Sequence, residues 1–283
     1  MTAHQTQTRY EFRAGSRTVV AHEGPRVRDP RLTVFWLGGT PHSGELLAEH
    51  LENASALDVR LVAVARCGFG GSDRDTGRSI ATAAADVVLV ADRLGIDRFA
   101  VTGYSGGGPH ALAVGAQAGG RVVAVATFGS LAPFDDDGSW FSGMHDPGAL
   151  VSAREGRAAR EARDENSTFD ADQFTFDDYA ALDGPLASLA HEVARASEAD
   201  LGGSVDDDLA FVRPWGVDLA DITSPVFLVH GTEDRVVPID HARRIAAACS
   251  SAEVIALPGR GHIGVLLSWR DALDRILTTM TGT

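Results

Sequence analysis

The chain has 283 residues, 44% of them hydrophobic, which is enough for one large core or a core with a smaller lobe. Its 39 acidic against 25 Lys and Arg side chains give a formal charge of -14, which repels a phosphate backbone and argues against nucleic acid as a partner. No run approaches the about 20 apolar residues of a membrane span, and the polar residues up to Tyr10 lack the apolar stretch of a secretory signal.

The alternating stretches 8–13 and 17–23 predict two short strands around a turn at Gly15. The nearly continuous apolar run 32–37 predicts a strand buried on both faces, stopped by Gly38-Gly39-Thr40-Pro41. Residues 43–57 carry Leu46, Leu47, Leu51 and Ala54 at helical spacing, with Ser43 as the expected N-cap. A strand over 59–65 ends at Gly68-Phe69-Gly70-Gly71-Ser72. A long helix over 79–94 is closed by Gly95, and strands over 98–103 and 122–128 follow. This β-α-β-α-β alternation predicts an α/β fold, a mostly parallel sheet covered by helices on both faces. Ligand sites in such sheets lie beyond the carboxyl ends of the strands, so the loops holding Thr40, Cys67 and Ser105 are expected to meet at one edge.

Composition changes after Phe134. Asp135-Asp136-Asp137 opens a stretch without buried strands that runs to Asp221, with helical patterns over 150–165 and 176–199, the second interrupted at Gly184-Pro185. Alternation then resumes with a strand over 225–230, a helix over 239–248, a strand over 253–257 and a final helix over 263–280. The expectation is an α/β core formed by residues 1–134 and 222–283. A mainly helical insertion, residues 135–221, too charged for a core element, would form a cap over the strand ends. No internal repeat or low-complexity tract is present.

The chemistry centres on Gly103-Tyr104-Ser105-Gly106-Gly107, between an apolar strand and a small-residue helix. A serine at a glycine-flanked strand-to-helix corner matches the G-x-S-x-G nucleophile elbow, in which a strained turn holds the hydroxyl out over the sheet edge. A serine hydroxyl is a poor nucleophile without an imidazole to take its proton and a carboxylate to orient that imidazole. Asp234 follows the strand 225–230 in a turn, and His262 follows the strand 253–257 in Gly259-Arg260-Gly261-His262. The order Ser105, Asp234, His262 is the chain order known for this motif.

These residues resemble the α/β-hydrolase superfamily, in particular its cap-bearing, esterase-like serine hydrolases. The resemblance covers nearly the whole chain outside the insertion. It rests on the elbow, on Gly-x-x-Asp-x-x-x-Pro at 231–238 and on Gly261-His262. The family's His-Gly-x-Pro-Gly loop is replaced by Gly38-Gly39-Thr40-Pro41-His42, and its Asp-Arg-Pro-Gly-x-Gly-x-Ser loop is echoed at 65–72 without the Asp and Pro. The resemblance implies Ser105 as nucleophile, His262 as base and Asp234 as its orienting acid. An oxyanion hole needs two N–H donors. One is expected from Gly106; the other is implied at Thr40, with Gly39 as the alternative in a shifted register.

Each candidate has a plainer rival. Glu233 competes with Asp234, and Asp135, Asp136 or Asp137 follow another strand from which an acid can reach the histidine. His42 beside the oxyanion loop and Tyr104 beside the nucleophile are candidate substrate contacts. Trp140, Phe141, Met144 and Trp215 form either pocket walls or glue between the insertion and the core. His145 and His191 sit in the insertion, and His110 is expected to pack. Cys67 and Cys249 lie far apart without partnering His pairs, so neither a disulfide scaffold nor a zinc site is expected; Cys67 reads as a packed thiol and the protein as cytoplasmic. No cofactor or metal is expected, and the expected partner is a small-molecule substrate. The leading activity is hydrolysis of a carboxylic ester or lactone. The same triad also serves C–C bond hydrolases, amidases, peptidases and cofactor-free perhydrolases, and a non-catalytic ligand-binding homologue is the third reading. Dehalogenases and epoxide hydrolases use Asp where this chain has Ser105, and the iminopeptidase Trp is absent at Gly106.

Overall fold

The computed structural model describes residues 7–166, 170–197 and 201–281. Its centre is a sheet of eight strands among the described residues: β1 (Thr8–Ala14), β2 (Arg17–Glu23), β3 (Leu32–Leu37), β4 (Val59–Ala65), β5 (Phe99–Tyr104), β6 (Val122–Phe128), β7 (Val226–Gly231) and β8 (Ala252–Leu257). They lie in the order β1-β2-β4-β3-β5-β6-β7-β8, with β2 antiparallel to both neighbours and the strands from β4 to β8 parallel. The apolar runs at 32–37 and 99–104 occupy the centre because they are buried on both faces.

Alternation along each strand sorts the core into two layers. Phe35, Leu37, Phe99 and Val101 face α2 (Ile80–Arg93), α3 (Gly107–Gln117) and α9 (Asp240–Ala248). Val34, Trp36, Ala100 and Tyr104 face α1 (Ala48–Ala56) and α10 (Trp269–Thr281). The helix expected from Ser43 begins five residues later. The backbone N–H of Ser43 is taken by the Glu192 carboxylate and that of Leu46 by Gln7, so no helix forms before Leu47, whose backbone is extended. Leu46 and Leu47 are still buried.

The insertion between β6 and β7 holds α4 (Gly148–Glu155), α5 (Arg157–Asn166), α6 (Phe176–Leu182), α7 (Ala187–Ser197) and α8 (Gly202–Phe211). The single helix expected over 150–165 is two, split at Gly156, whose φ of 110 no helix accommodates. The stretch expected to be helical over 176–199 breaks between Leu182 and Ala187, and its last residue, Ala199, lies outside the described residues. The expectation that the insertion is too charged for the core fails at α8. All ten of its residues are buried, including Asp206, Asp207 and Asp208. Consecutive helical residues point about 100° apart, and each carboxylate meets its own cation: Asp206 pairs with Arg74 and Arg157, Asp207 with Arg66 and Arg78, and Asp208 with Arg160. Among the described residues no helix is long and apolar enough to cross a membrane.

His50 lies on α1 between two indoles, stacked on Trp269 at 4.1 Å and edge-on to Trp36 at 4.3 Å, with neither ring nitrogen hydrogen-bonded. Burial lowers its pKa from 6.5 to about 3, so the folded protein holds it neutral. As pH falls below 6.5 the unfolded chain binds a proton there that the native state refuses, and stability is lost. The loss runs at about 1.4 kcal/mol for each pH unit until the folded value is reached. Urea unfolding at pH 7 and pH 5 will therefore show His50→Leu losing about 2 kcal/mol less than the parent on acidification.

Candidate active site

The elbow is built by exclusion of side chains. Ser105 has φ of 49, in the left-handed region that non-glycine residues rarely enter. Two bonds hold it there: its N–H donates to Phe128 O at 2.8 Å, and its own carbonyl accepts from Gly108 N at 2.9 Å. A Cβ on Gly107 would stand 2.1 Å from Leu37 O, and one on Gly103 would stand 2.5 Å from Gly107 O. β3, β5 and α3 can approach this closely only because those positions carry no side chain.

The ends of β5, β7 and β8 bring three side chains together. Ser105 Oγ lies 2.9 Å from His262 Nε2, and His262 Nδ1 lies 2.7 Å from Asp234 Oδ2. The second oxygen of Asp234 accepts the N–H groups of Val236 at 3.0 Å and Val237 at 2.8 Å. Burial alone would raise the pKa of Asp234, but His262 and His230 outweigh it and hold the carboxyl well below the ordinary range. The acid is therefore a carboxylate; it keeps the imidazole proton on Nδ1 and leaves Nε2 free to accept from the serine. Glu233 is exposed and does not take part. Asp135, Asp136 and Asp137 are exposed too, and the first two pair with Arg244 and Arg154, away from the histidine.

The insertion grips the loop that carries His262. Asp178, buried on α6, accepts the N–H groups of Ile263 at 2.6 Å and Gly264 at 2.9 Å, directly after His262. Arg260, just before it, pairs with Asp177 at 2.6 Å. Thr40 and Gly106 abut, since a Cβ on Gly106 would stand 2.3 Å from Thr40 Oγ1. Gly39 packs on the other side, where a Cβ would meet the Tyr104 ring at 3.2 Å and Ser105 Cβ at 3.5 Å.

Two cavities open onto Ser105 and share Thr40, Pro41, Gln173 and Val236. One, of about 510 Å³, is walled by His262 and by apolar groups of core and insertion, among them Trp36, Phe174, Leu182 and Leu189. The other, of about 540 Å³, is more polar and is lined by Gly106, Met144, Phe211, Arg160 and Arg163. Tyr104 lines the first cavity and Met144 the second. His42, Trp140 and Trp215 line neither. His42 is buried behind the loop against Phe69, at 4.7 Å between rings. Trp140 donates its indole N–H to Ala132 O and Pro133 O, each at 3.1 Å, and packs on Phe134 and His241. Trp215 donates to Phe211 O at 3.3 Å; both indoles join insertion to core. His145 pairs with Asp170 at 2.9 Å, and His191 is exposed. His110 is fully buried, as expected. The Cys67 thiol is pushed up to about 12 by burial and by Asp86, which keeps it protonated.

Sequence reading missed the insertion residues in the cavity walls. Leu182, Leu189 and Val193 fall with Leu186 in an i, i+3/i+4 apolar pattern in the sequence, which the structure divides between the end of α6 and α7, with Leu186 and Leu189 buried. Gln173 carries no such signal.

The elbow makes a direct forecast. Gly107→Ala forces a methyl group into Leu37 O and will lower stability by at least about 2 kcal/mol in urea unfolding.

The chain was compared with known families and structures. The model of the alpha/beta hydrolase fold matches residues 33–268. Similar solved structures include a bromoperoxidase from Bacillus anthracis, with a TM-score of 0.72 at 18% identity over 96% of this chain and 100% of that one. An enol-lactonase from Burkholderia xenovorans gives 0.71 at 20% over 95% and 100%. A thermophilic esterase from Thermogutta terrifontis gives 0.67 at 16% over 97% of each chain. At these identities the structures share the fold, and the family match over residues 33–268 agrees with the strand order and the elbow: the chain belongs to the alpha/beta hydrolase family.

Proposed function

We propose that the protein hydrolyses a carboxylic ester or lactone of a small molecule through an acyl-enzyme on Ser105. The observation that carries this reading is the continuous relay from Asp234 through His262 to Ser105, at 2.7 Å and 2.9 Å, with the serine facing two cavities. Ser105 Oγ attacks the carbonyl carbon as its proton passes to His262 Nε2. The carbonyl oxygen becomes an oxyanion, held by the N–H of Gly106 and that of Thr40. Collapse breaks the C–O bond, and His262 gives its proton to the leaving oxygen. Water then attacks the acyl-enzyme, with His262 again taking the proton and returning it to Ser105.

The leaving oxygen has to lie within reach of His262 Nε2, so the alcohol or enol part of the substrate belongs in the apolar cavity that His262 helps to wall. Residues 135–221 act as the cap in this reading, because they supply much of the wall of both cavities. The enol-lactonase and esterase among similar structures lend support by analogy of fold. Two buried cysteines without a disulfide suit a reducing cytoplasm.

A fluorophosphonate will label the parent protein at Ser105 and leave Ser105→Ala unlabelled; equal labelling of the two ends this assignment. On 4-nitrophenyl esters, Ser105→Ala and Asp234→Asn will each lose about 10⁴-fold or more in kcat. Parallel assays on lactones, aminoacyl amides and dienone acids will show whether esters are the favoured class. Faster turnover of an amide or a C–C substrate would replace the ester reading while keeping the triad.

A further inference from the structure

Asp207 lies in the middle of α8 with its side chain wholly removed from solvent. Both carboxylate oxygens are used. Oδ2 accepts from Thr40 Oγ1 at 2.6 Å and from Arg66 Nη2 at 2.6 Å. Oδ1 accepts from Arg78 Nη1 at 2.8 Å and faces His110 Nε2 at 3.2 Å. Burial alone would raise the pKa of Asp207, yet the two guanidiniums and His110 hold it well below the ordinary range, so the carboxylate is charged. His110 is lowered to about 4, chiefly by burial, and is a neutral donor to it.

Two of these four partners lie in the parts of the chain that supply the oxyanion donors. Thr40 belongs to the loop after β3. His110 stands four residues, about one helical turn, after Gly106 on the elbow helix. Arg66 adds a second hold on the loop, donating to Gly38 O, to Gly39 O at 2.8 Å and to Thr40 Oγ1 at 3.0 Å. In a planar trans peptide the C=O and the following N–H point in opposite directions. Drawing the Gly39 carbonyl back onto Arg66 therefore turns the Thr40 N–H away from the cluster, toward the space that Gly39, Thr40 and Ser105 line together. The Thr40 hydroxyl is committed to Asp207, which leaves the backbone amide as the group this residue offers to an oxyanion.

We infer that Asp207 is a positioning residue for the oxyanion hole: a carboxylate from the insertion that, with Arg66, fixes the Thr40 amide against the Gly106 amide. The inference rests on the ester-hydrolase reading above and adds to it that the insertion completes the catalytic geometry of the core. Without α8 the Gly38–Thr40 peptides lose the anion that anchors both Arg66 and the Thr40 side chain.

The test uses the full-length protein, 4-nitrophenyl butyrate as substrate and an alkyl trifluoromethyl ketone, which adds to the serine and places an oxyanion in the hole. Asp207→Asn keeps the side-chain shape but removes the charge; Thr40→Val cuts only the hydroxyl and leaves the Arg–Asp pairs in place. Asp207→Asn is expected to lower kcat by about 10- to 100-fold and Thr40→Val by about tenfold, with KM within about twofold of the parent. The ketone's inhibition constant should rise in each variant by the factor by which kcat/KM falls. Loss of stability alone would not produce that match in the folded fraction. Should Asp207→Asn fail to fold, Thr40→Val decides. Parent-like kcat and ketone affinity in Thr40→Val overturn the inference, as does a fall in kcat with ketone affinity unchanged. A parent protein that neither turns over esters nor is labelled at Ser105 overturns the hydrolase reading, and this inference with it.

Discussion

β5 and α3 come together at Ser105 more closely than any side chain allows. The carbonyls of Leu37 and Gly107 occupy the positions where side chains of Gly107 and Gly103 would be. This packing forces the left-handed backbone at Ser105, and the hydroxyl then leaves the sheet toward the ends of β7 and β8. Everything else about the site is arranged around that fixed point. The histidine and the acid arrive on later strands, in loops whose lengths set their reach.

Three carboxyls of the insertion bond directly to loops of the core around the site. Asp178 of α6 takes the two N–H groups that follow His262, Asp207 of α8 takes the hydroxyl of Thr40, and Glu192 of α7 takes the N–H of Ser43. Each of these carboxyls is buried and hydrogen-bonded, and at Asp207 the two guanidiniums outweigh the cost of burial. Breaking one such contact leaves a buried polar group without a partner, so the insertion and the loops of the core hold one another in register. Residues of α6 and α7 meanwhile line the cavity of about 510 Å³, so the same helices hold the loops and shape the cavity.

Much of the fold could be read directly because its signals are local. Apolar runs marked the strands to within a residue or two, and glycine punctuation marked the elbow. Other expectations went astray where a distant group competes with a local preference. Ser43 has the chemistry of an N-cap, yet Glu192 claims its backbone and the helix starts at Ala48. Residues 135–221 read as too charged for a core element, yet Asp206, Asp207 and Asp208 are buried there, met by five arginines at 66, 74, 78, 157 and 160. Trp140 and Trp215 look equally suited to a pocket or a seam; the Ala132 and Pro133 carbonyls that receive the Trp140 indole N–H, and the Trp215 carbonyl that accepts the N–H of Ala81, place them in the seam.

By itself the sequence determined the class of fold, the strand ends on which Ser105, Asp234 and His262 stand, and the identity of the corner that strains the serine. These depend on periodicity and on glycines, which act over a few residues. Only the tertiary structure decided which acid meets His262, which aromatic groups face the cavities, and that a helix with three consecutive aspartates belongs inside the protein. Those outcomes depend on pairing across up to 167 positions of chain, and a charge becomes tolerable in the interior only once its counterion has been folded against it.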